Sequence, residues 1–381
     1  MPRQASADLR KMTFSECSLT SSSEASPGSE EVTSPDEEVK VPKSGWNVKD
    51  MVSKGVFMVS VFFLATAVRG EWLLFIVYLG RDHLQSLLGH AEAGNSTDVT
   101  SAGMLERLGL RDLHIYVPFA LFVSFSLYWG IGLTFDMYFY KNRKHMADTW
   151  KCQPDRWLTR SNEWHEFLLG SFNMMLGSVV SGIISCYIMN GGRCTLYMDP
   201  GQYGWAYLLL SIPVLFMYGE AVSYYPHRLF HYPWLYKNVH KIHHRYGSPT
   251  LYSAVAMHPL EFLMYQTFLG LPAFIIPLHA VVFVGHLLYG YYYGMMDHSG
   301  IKMDAVWPWQ PSSMFHDDHH RHFHCNFGFN TLLFDRLHGT LRRQNRKYGE
   351  KVFGGHGRQE VGTGSEAPFH EYSTSNLIPF T

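Results

Sequence analysis

Long apolar runs separated by polar segments dominate the middle of the chain. Three of them extend for about 20 residues, the length at which a helix crosses a bilayer. These three runs cover residues 115–135, 167–189 and 205–225. A fourth run at 56–78 is interrupted by Arg69 and Glu71, so it predicts either a marginal or a kinked span.

Two shorter apolar runs, 260–278 and 280–296, meet at His279 and predict a hydrophobic hairpin that is either re-entrant or fully crossing. The fold expected from this pattern is an all-α membrane protein. It consists of a transmembrane helix bundle, with about four spans plus the hairpin, and a cytoplasmic cap of histidine-rich helices.

The two ends of the chain differ from this apolar middle. Residues 1–48 are rich in Ser, Glu and Pro, which predicts a disordered N-terminal tail and no cleavable signal peptide. We expect a transmembrane region at 49–200, a catalytic region at 201–345 and a mobile C-terminal tail at 346–381.

The distribution of basic residues predicts the membrane topology. Residues 136–160 contain six Lys or Arg, and cytoplasmic loops collect such residues. Counting spans in both directions places the glycosylation sequon at Asn95 in the lumen and residues 227–258 in the cytoplasm. The hairpin then returns the chain to the cytoplasmic face, so both histidine-rich stretches emerge together.

Composition narrows the classes of function. The formal charge is −1, so no basic footprint indicates nucleic-acid binding, and charged residues make up 17% of the chain against about 25% in soluble domains. The five cysteines contain no CxxC spacing, which argues against a disulfide scaffold or a thiolate zinc site.

Eight of the 22 histidines fall into three short clusters with helical spacing. Residues three and four apart share a helix face, so each cluster can direct its rings at one spot. The clusters are His227/His231, His240/His243/His244 and His316/His319/His320. Neutral imidazole is a common metal ligand, and eight such ligands exceed the four or six that one ion takes. Two metal ions are therefore predicted.

Other polar residues are candidates for supporting roles. His298 is a plausible ninth ligand; His258 fits either an outer partner or the start of a helix; His322 and His324 are weaker candidate ligands. Glu220 lies two helical turns before His227, so it can orient a metal-bound imidazole. Asp317, Asp318 and Asp335 are further outer candidates. We interpret five histidines as structural: His114, His145, His165, His279 and His286.

Nitrogen-rich sites beside membrane helices suit a non-haem di-iron centre, because iron changes redox state whereas zinc does not. Hydroxylation and desaturation of a membrane-dissolved substrate both begin with hydrogen removal, so the residues leave that choice open. Two other classes also remain: a metal transporter or sensor, and an inactive relative that binds lipid or a partner.

The order of the motifs resembles the fatty acid hydroxylase/sterol desaturase superfamily. The motifs are His-x-x-x-His (227–231), His-x-x-His-His (240–244), His-Pro-x-Glu (258–261), Asp-His-Ser-Gly (297–300), His-x-x-His-His (316–320) and Asp-Arg-x-x-Gly-Thr (335–340). Residues 258–261 and 272–279 look most like the sterol C-5 desaturase branch. Asp-His-Ser-Gly is closer to hydroxylases and 4-methyl oxidases.

The resemblance implies an endoplasmic-reticulum membrane enzyme that acts on a sterol. It would use O2, two non-haem Fe ions and electrons from a cytochrome b5 type donor, with C-5 desaturation first and hydroxylation or C-4 methyl oxidation as alternatives. It also implies the following metal ligands: His227, His231, His240, His243, His244, His298, His316, His319 and His320.

Overall fold

The structure, a computed structural model, describes residues 103–305, 307 and 309–359 and is mainly helical in that part of the chain. The α-helices are α1 (Met104–Arg107), α2 (Leu113–Phe135), α3 (Ala147–Trp150), α4 (Arg160–Met189), α5 (Trp205–Phe230), α6 (Pro233–Asn238), α7 (Pro259–Gly270), α8 (Pro272–Ile275), α9 (Ala280–Asp297), α10 (Met314–His322) and α11 (Leu333–His338).

Short irregular helices and strands connect these elements. A π-helical turn (Asp136–Lys141) extends α2, and 3₁₀ turns cover Lys144–Met146, His240–Arg245 and Leu251–Val255. Strands β1 (Leu196–Tyr197) and β2 (Leu278–His279) pair in parallel, with Leu196 opposite Leu278. Strands β3 (Arg346–Lys347) and β4 (Arg358–Gln359) pair antiparallel, with Arg346 opposite Gln359.

Three helices are long and apolar enough to cross a membrane in the described residues: Leu113–Lys141, Arg160–Met189 and Trp205–Phe230. They coincide with the three uninterrupted apolar runs of the sequence. The predicted span at 56–78, the N-terminal tail and the Asn95 sequon lie outside the described residues. The structure therefore bears on three of the four expected spans.

The predicted hairpin forms as α7, α8, β2 and α9 in succession. Its first helix, α7, has 12 residues and is about 18 Å long, shorter than the roughly 30 Å hydrocarbon core. His279 begins α9, because its side chain accepts a hydrogen bond from the backbone N–H of Val281. This geometry fits a re-entrant hairpin better than two full crossings.

Proline positions decide how the chain leaves α5. Tyr232, which precedes Pro233, is extended at φ −67° and ψ 138°, as the residue before a proline prefers, and α6 starts at Pro233. The sequence predicted one helix from about Leu235 through His244. That prediction is wrong: α6 ends at Asn238, Val239 leaves helical geometry, and His240–Arg245 is a 3₁₀ turn.

The main apolar core lies where the first two long helices meet the loop around Leu251–Val255. Tyr128 of α2 is fully buried and donates its hydroxyl to the Tyr252 carbonyl over 3.2 Å. Gly170 of α4 allows this approach, because a Cβ there would lie 1.9 Å from the Tyr128 hydroxyl. The core thereby anchors the segment that follows the second histidine cluster.

Candidate metal centre

Nine buried histidines form two adjoining sets of converging ring nitrogens, with ligand atoms in each set within 4.8 Å of one another. We call them the first and second histidine groups. The first group is His227, His231, His240, His244 and His319; the second is His243, His298, His316 and His320. All nine residues that the resemblance implies as ligands lie in one of the two groups.

The predicted triplets do not each direct their rings at one spot. His240 and His244 join the first group whereas His243 joins the second, and His319 separates from His316 and His320 in the same way. Residues four apart stay together, but adjacent residues project about 100° apart on an α-helix such as α10 and about 120° apart in a 3₁₀ turn. The two triplets therefore each supply ligands to both groups, a correction to the prediction, whereas His227 and His231 both lie in the first group.

The ring contacts of the second group fit a bound cation. The Nε2 atom of His298 lies 3.2 Å from that of His243 and 2.9 Å from that of His316. His298 Nδ1 donates to the Gly294 carbonyl over 2.7 Å, so in a neutral ring its Nε2 carries a lone pair. Ligands at the about 2.0–2.1 Å typical of metal–imidazole bonds would be spaced in this way.

Burial keeps these imidazoles in the form that binds metal. It lowers the pKa of His243, His244, His319 and His320 well below its usual value, and neighbouring imidazoles lower it further. The rings are therefore neutral at physiological pH, and a neutral ring offers a lone pair to a cation.

Acceptors outside the first group orient its rings. His227 Nδ1 donates to the Phe327 carbonyl over 3.0 Å, and His319 Nδ1 donates to the Cys325 carbonyl over 2.7 Å. His240 Nδ1 lies 2.6 Å from the buried carboxylate of Glu261. The Nε2 atoms of His240 and His319 have no hydrogen-bond partner among the described residues. Such outer contacts set the tautomer and direct the other nitrogen at a metal.

His231 is held through a second histidine. His324 Nε2 lies 2.8 Å from the Glu350 carbonyl, which can only accept, so this nitrogen carries the proton. His324 Nδ1 is then an acceptor for His231 Nδ1–H at 2.9 Å. This relay leaves His231 Nε2 free to point into the first group, 3.2 Å from His244 Nε2. His324 is thus an outer partner, and neither it nor His322 belongs to a group.

The carboxylates divide between loop anchors and imidazole partners. Glu220 accepts hydrogen bonds from Asn330 and Thr331, and it has no hydrogen bond to an imidazole among the described residues. Asp335 accepts from the backbone N–H groups of Phe327 and Gly328, and burial raises its pKa to about 6. Both acids fix the segment whose Phe327 carbonyl holds His227, so their influence on the imidazoles is indirect.

The remaining polar candidates also have defined places. His258 begins α7, because its Nδ1 accepts from the backbone N–H of Leu260 over 3.2 Å. Asp318 pairs with Arg342 over 3.1 Å. Asp317 is buried. Burial raises the pKa of Asp317 to about 7, although the nearby charge of Lys151 opposes this rise.

Two imidazole partners had no assigned role in the sequence. Glu261 was quoted only as part of a motif, and Asp297, 3.4 Å from His316 Nδ1, was not proposed as a partner. The sequence did contain a signal for both partners, because each is an acidic residue at the edge of an apolar run. A carboxylate buried there requires a partner.

An apolar cavity of about 310 Å³ ends at the histidine groups. Its wall includes His227 and His240 from the first group and His243, His298 and His316 from the second. Residues of α2, α4, α5, α7 and α9, together with residues in 254–257 and 327–330, form the rest of the lining, so the cavity lies among the membrane-length helices and the hairpin.

Comparison with known proteins agrees with this arrangement. Residues 212–340 match the family model described as fatty acid hydroxylase. The chain is 30% identical over 155 residues to the lathosterol oxidase of Rattus norvegicus, covering 40% of this chain and 52% of the relative. It is 29% identical over 160 residues to the Delta(7)-sterol 5(6)-desaturase erg31 of Schizosaccharomyces pombe, covering 42% and 53%.

The matched region contains both histidine groups. The chain spans about half the length of the curated relatives it matches. No solved structure matches the chain.

Proposed function

We propose that this chain is a membrane-bound, non-haem di-iron oxidoreductase that uses dioxygen to oxidise a carbon–hydrogen bond of a sterol. The observation that carries the proposal is the meeting of two adjoining histidine groups with an apolar cavity among membrane-length helices. When bound, iron would supply the redox chemistry with dioxygen that removes hydrogen from unactivated carbon.

The proposed ligands are the nine histidines, five around one ion and four around the other. Backbone carbonyls, Glu261 and His324 accept hydrogen bonds from rings of the first group and aim the free nitrogens of those rings inward. The apolar cavity wall would exclude water and orient the substrate carbon toward the groups, and such placement decides which bond reacts.

C-5 desaturation is the reaction that the names of the relatives support, since they are a lathosterol oxidase and Delta(7)-sterol 5(6)-desaturases. Hydroxylation begins with the same hydrogen removal and is the second candidate. Hydroxylation is favoured by the position of His286, which lines the cavity from α9 twelve residues before His298.

We further propose an endoplasmic-reticulum location, cytoplasmic histidine groups and a cytochrome b5 type electron donor. The histidine segments contact the basic segment that the charge pattern assigns to the cytoplasm. Arg245 donates to Asn162 over 2.8 Å, and the backbone N–H of Lys302 donates to the Trp150 carbonyl over 2.7 Å. The first contact reaches the end of α4 nearest residues 136–160, and the second reaches that basic segment itself.

The test is metal analysis and turnover of the full chain purified in lipid nanodiscs. We expect about two irons per chain, and oxygen uptake that depends on a sterol and on an added one-electron donor. His243→Ala is expected to abolish turnover and to lower the iron content. Zinc as the only metal, with no oxygen uptake after iron is restored, would overturn the proposal. Uptake of metal into sealed vesicles without oxygen consumption would instead indicate a transporter.

A further inference from the structure

The cavity is elongated along the helices that line it. On α5 it runs from His227 at the metal end to Gly219, eight residues earlier, which is about 12 Å along the helix axis. On α7 it runs from Glu261 to Leu269, again eight residues and about 12 Å. Two independent helices therefore give the cavity the same depth, a little more than two helical turns.

His286 lies at the far end of this cavity. It lines the wall from α9, twelve residues before His298, which is about 18 Å along the axis. The ring reaches the Gly219 end of α5, because a Cβ at Gly219 would lie 2.6 Å from the Cε1 atom of His286. The metal end and His286 thus occupy opposite ends of one cavity.

The His286 ring has hydrogen-bonding capacity that the protein does not use. Its Nε2 is buried and has no hydrogen-bond partner within the described residues. An unpaired polar group in an apolar cavity is costly, and a ligand group of matching chemistry removes that cost. A hydroxyl is such a group, since it can donate to one tautomer of the ring and accept from the other.

We propose that His286 binds the hydroxyl group of the lipid substrate and thereby places a carbon distant from that hydroxyl at the histidine groups. This inference rests on the proposed function and selects the reaction. In a 3-hydroxysterol, C-5 is two bonds from the carbon that carries the hydroxyl, so it would stay at the far end. A carbon about 12 Å or more away, in the sterol side chain, would reach the metal end.

The reaction selected is hydroxylation of that distant carbon. One oxygen atom of O2 enters the C–H bond as a hydroxyl group. The other oxygen atom leaves as water, formed with two electrons from the one-electron donor and two protons. C-5 desaturation instead requires the substrate hydroxyl nearer the metal end, where Ser223 and Gln266 are among the polar residues that line the cavity.

Those two residues make the proposal measurable. Ser223 lies four residues before His227, about 6 Å along α5. Gln266 lies five residues after Glu261, about 7.5 Å along α7. Ser223 and Gln266 therefore sample the middle of the cavity and His286 its far end, so the residue whose substitution removes the preference for the hydroxyl shows where that hydroxyl lies.

The experiment compares a 3-hydroxysterol with its 3-deoxy analogue on the iron-loaded full chain in nanodiscs. Direct binding of the radiolabelled sterols and KM are both measured. The unsubstituted protein is expected to prefer the hydroxysterol about tenfold, the scale of one net hydrogen bond. His286→Leu should abolish the preference mainly through KM, whereas His286→Gln should retain most of it. Ser223→Ala and Gln266→Leu should leave the ratio unchanged.

The position of the new oxygen in the product is determined in parallel. Loss of the preference in Ser223→Ala or Gln266→Leu, but not in His286→Leu, would overturn the inference, as would a product altered at C-5. A third result is binding that prefers the hydroxysterol and depends on His286, but without turnover of any sterol. That result would contradict the proposed reaction and would still support the hydroxyl-binding role of His286. If His286→Leu does not fold, Gly219→Ala displaces the same ring and is expected to reduce the same ratio.

Discussion

The two histidine groups are similar in burial and chemistry, but different parts of the chain hold them. In the first group, His227 and His319 donate to carbonyls of residues 325–327, and His231 depends on His324 and the Glu350 carbonyl. In the second group, His298 donates to Gly294, within its own helix α9. The C-terminal segment and Glu261 of α7 therefore support the first group, and α9 supports the second.

This difference means that the two groups can be disturbed separately. Outer partners set the direction and basicity of a ligand, so a lesion in one supporting segment should weaken one group first. Variants that remove one ion and leave the other would establish the division. Variants that always remove both would show that the groups behave as one unit.

Direct loss of a ligand is expected to have the largest effect. His320→Ala reduces the second group from four imidazoles to three. We expect iron content to fall from about two to about one per chain, and activity to fall beyond the about 10–100-fold typical for loss of an outer partner. Elemental analysis and oxygen uptake measure both. The matched control is His258→Ala, which removes a helix cap worth about 1 kcal/mol and should retain both irons.

Loss of a charged outer partner should come next. Glu261→Leu removes the carboxylate 2.6 Å from His240 Nδ1, and metal affinity of the first group should fall about 10–100-fold. Glu261→Gln keeps an acceptor and serves as the control. Asp297→Asn is expected to have a smaller effect on the second group, because Asp297 lies 3.4 Å from His316 without a hydrogen bond. An equal effect from both acids would contradict this ranking.

The His324 relay should have a moderate effect confined to the first group. His324→Leu removes the acceptor for His231 Nδ1–H, and affinity for one of the two ions should fall by about tenfold. Chelator competition resolves the two ions. His322→Leu is the control, because His322 faces Asp318 at 3.8 Å and belongs to neither group. A simultaneous loss of both ions would argue against separate support.

Acidification is expected to have the smallest effect of these changes. Its effect on stability should be negligible near neutral pH and should grow as the pH falls. Burial lowers the pKa of His243, His244, His319 and His320, so the metal-free unfolded chain binds more protons than the folded one. Stability of the metal-free protein should therefore be flat above pH about 6.5 and fall as pH drops below it.

Buried carboxyls act in the opposite direction. Burial raises the pKa of Asp317 to about 7 and that of Asp335 to about 6, which favours the folded state as pH falls, but these two groups oppose several imidazoles. Thermal unfolding of the metal-free chain from pH 8 to pH 5 measures the balance. A midpoint that rises toward pH 5 would contradict neutral burial of the histidines.

Sequence spacing predicted the local part of the site. His227 with His231, His240 with His244, and His316 with His320 remain together in the structure, because residues four apart share a face within one turn of chain. Spacing did not predict that His243 and His319 cross to the other group. Their destinations depend on contacts such as His319 with His227, which are far apart in sequence.

The outer partners were harder to predict for the same reason. Glu220 shares a face with His227 but extends toward Asn330 and Thr331, more than 100 residues away in sequence. Glu261 reaches His240 because α7 folds back against the 3₁₀ turn. No periodicity within one helix contains information about such partners.

The amino-acid order alone determined the apolar lengths of three helices and the three clusters that contain eight of the nine histidines, because both are properties of residues close together in the chain. Tertiary packing decided the division into five and four imidazoles, the hydrogen-bond partner of each ring, and the cavity with His286 at its far end. These features depend on distances between helices, which the packing of distant segments sets.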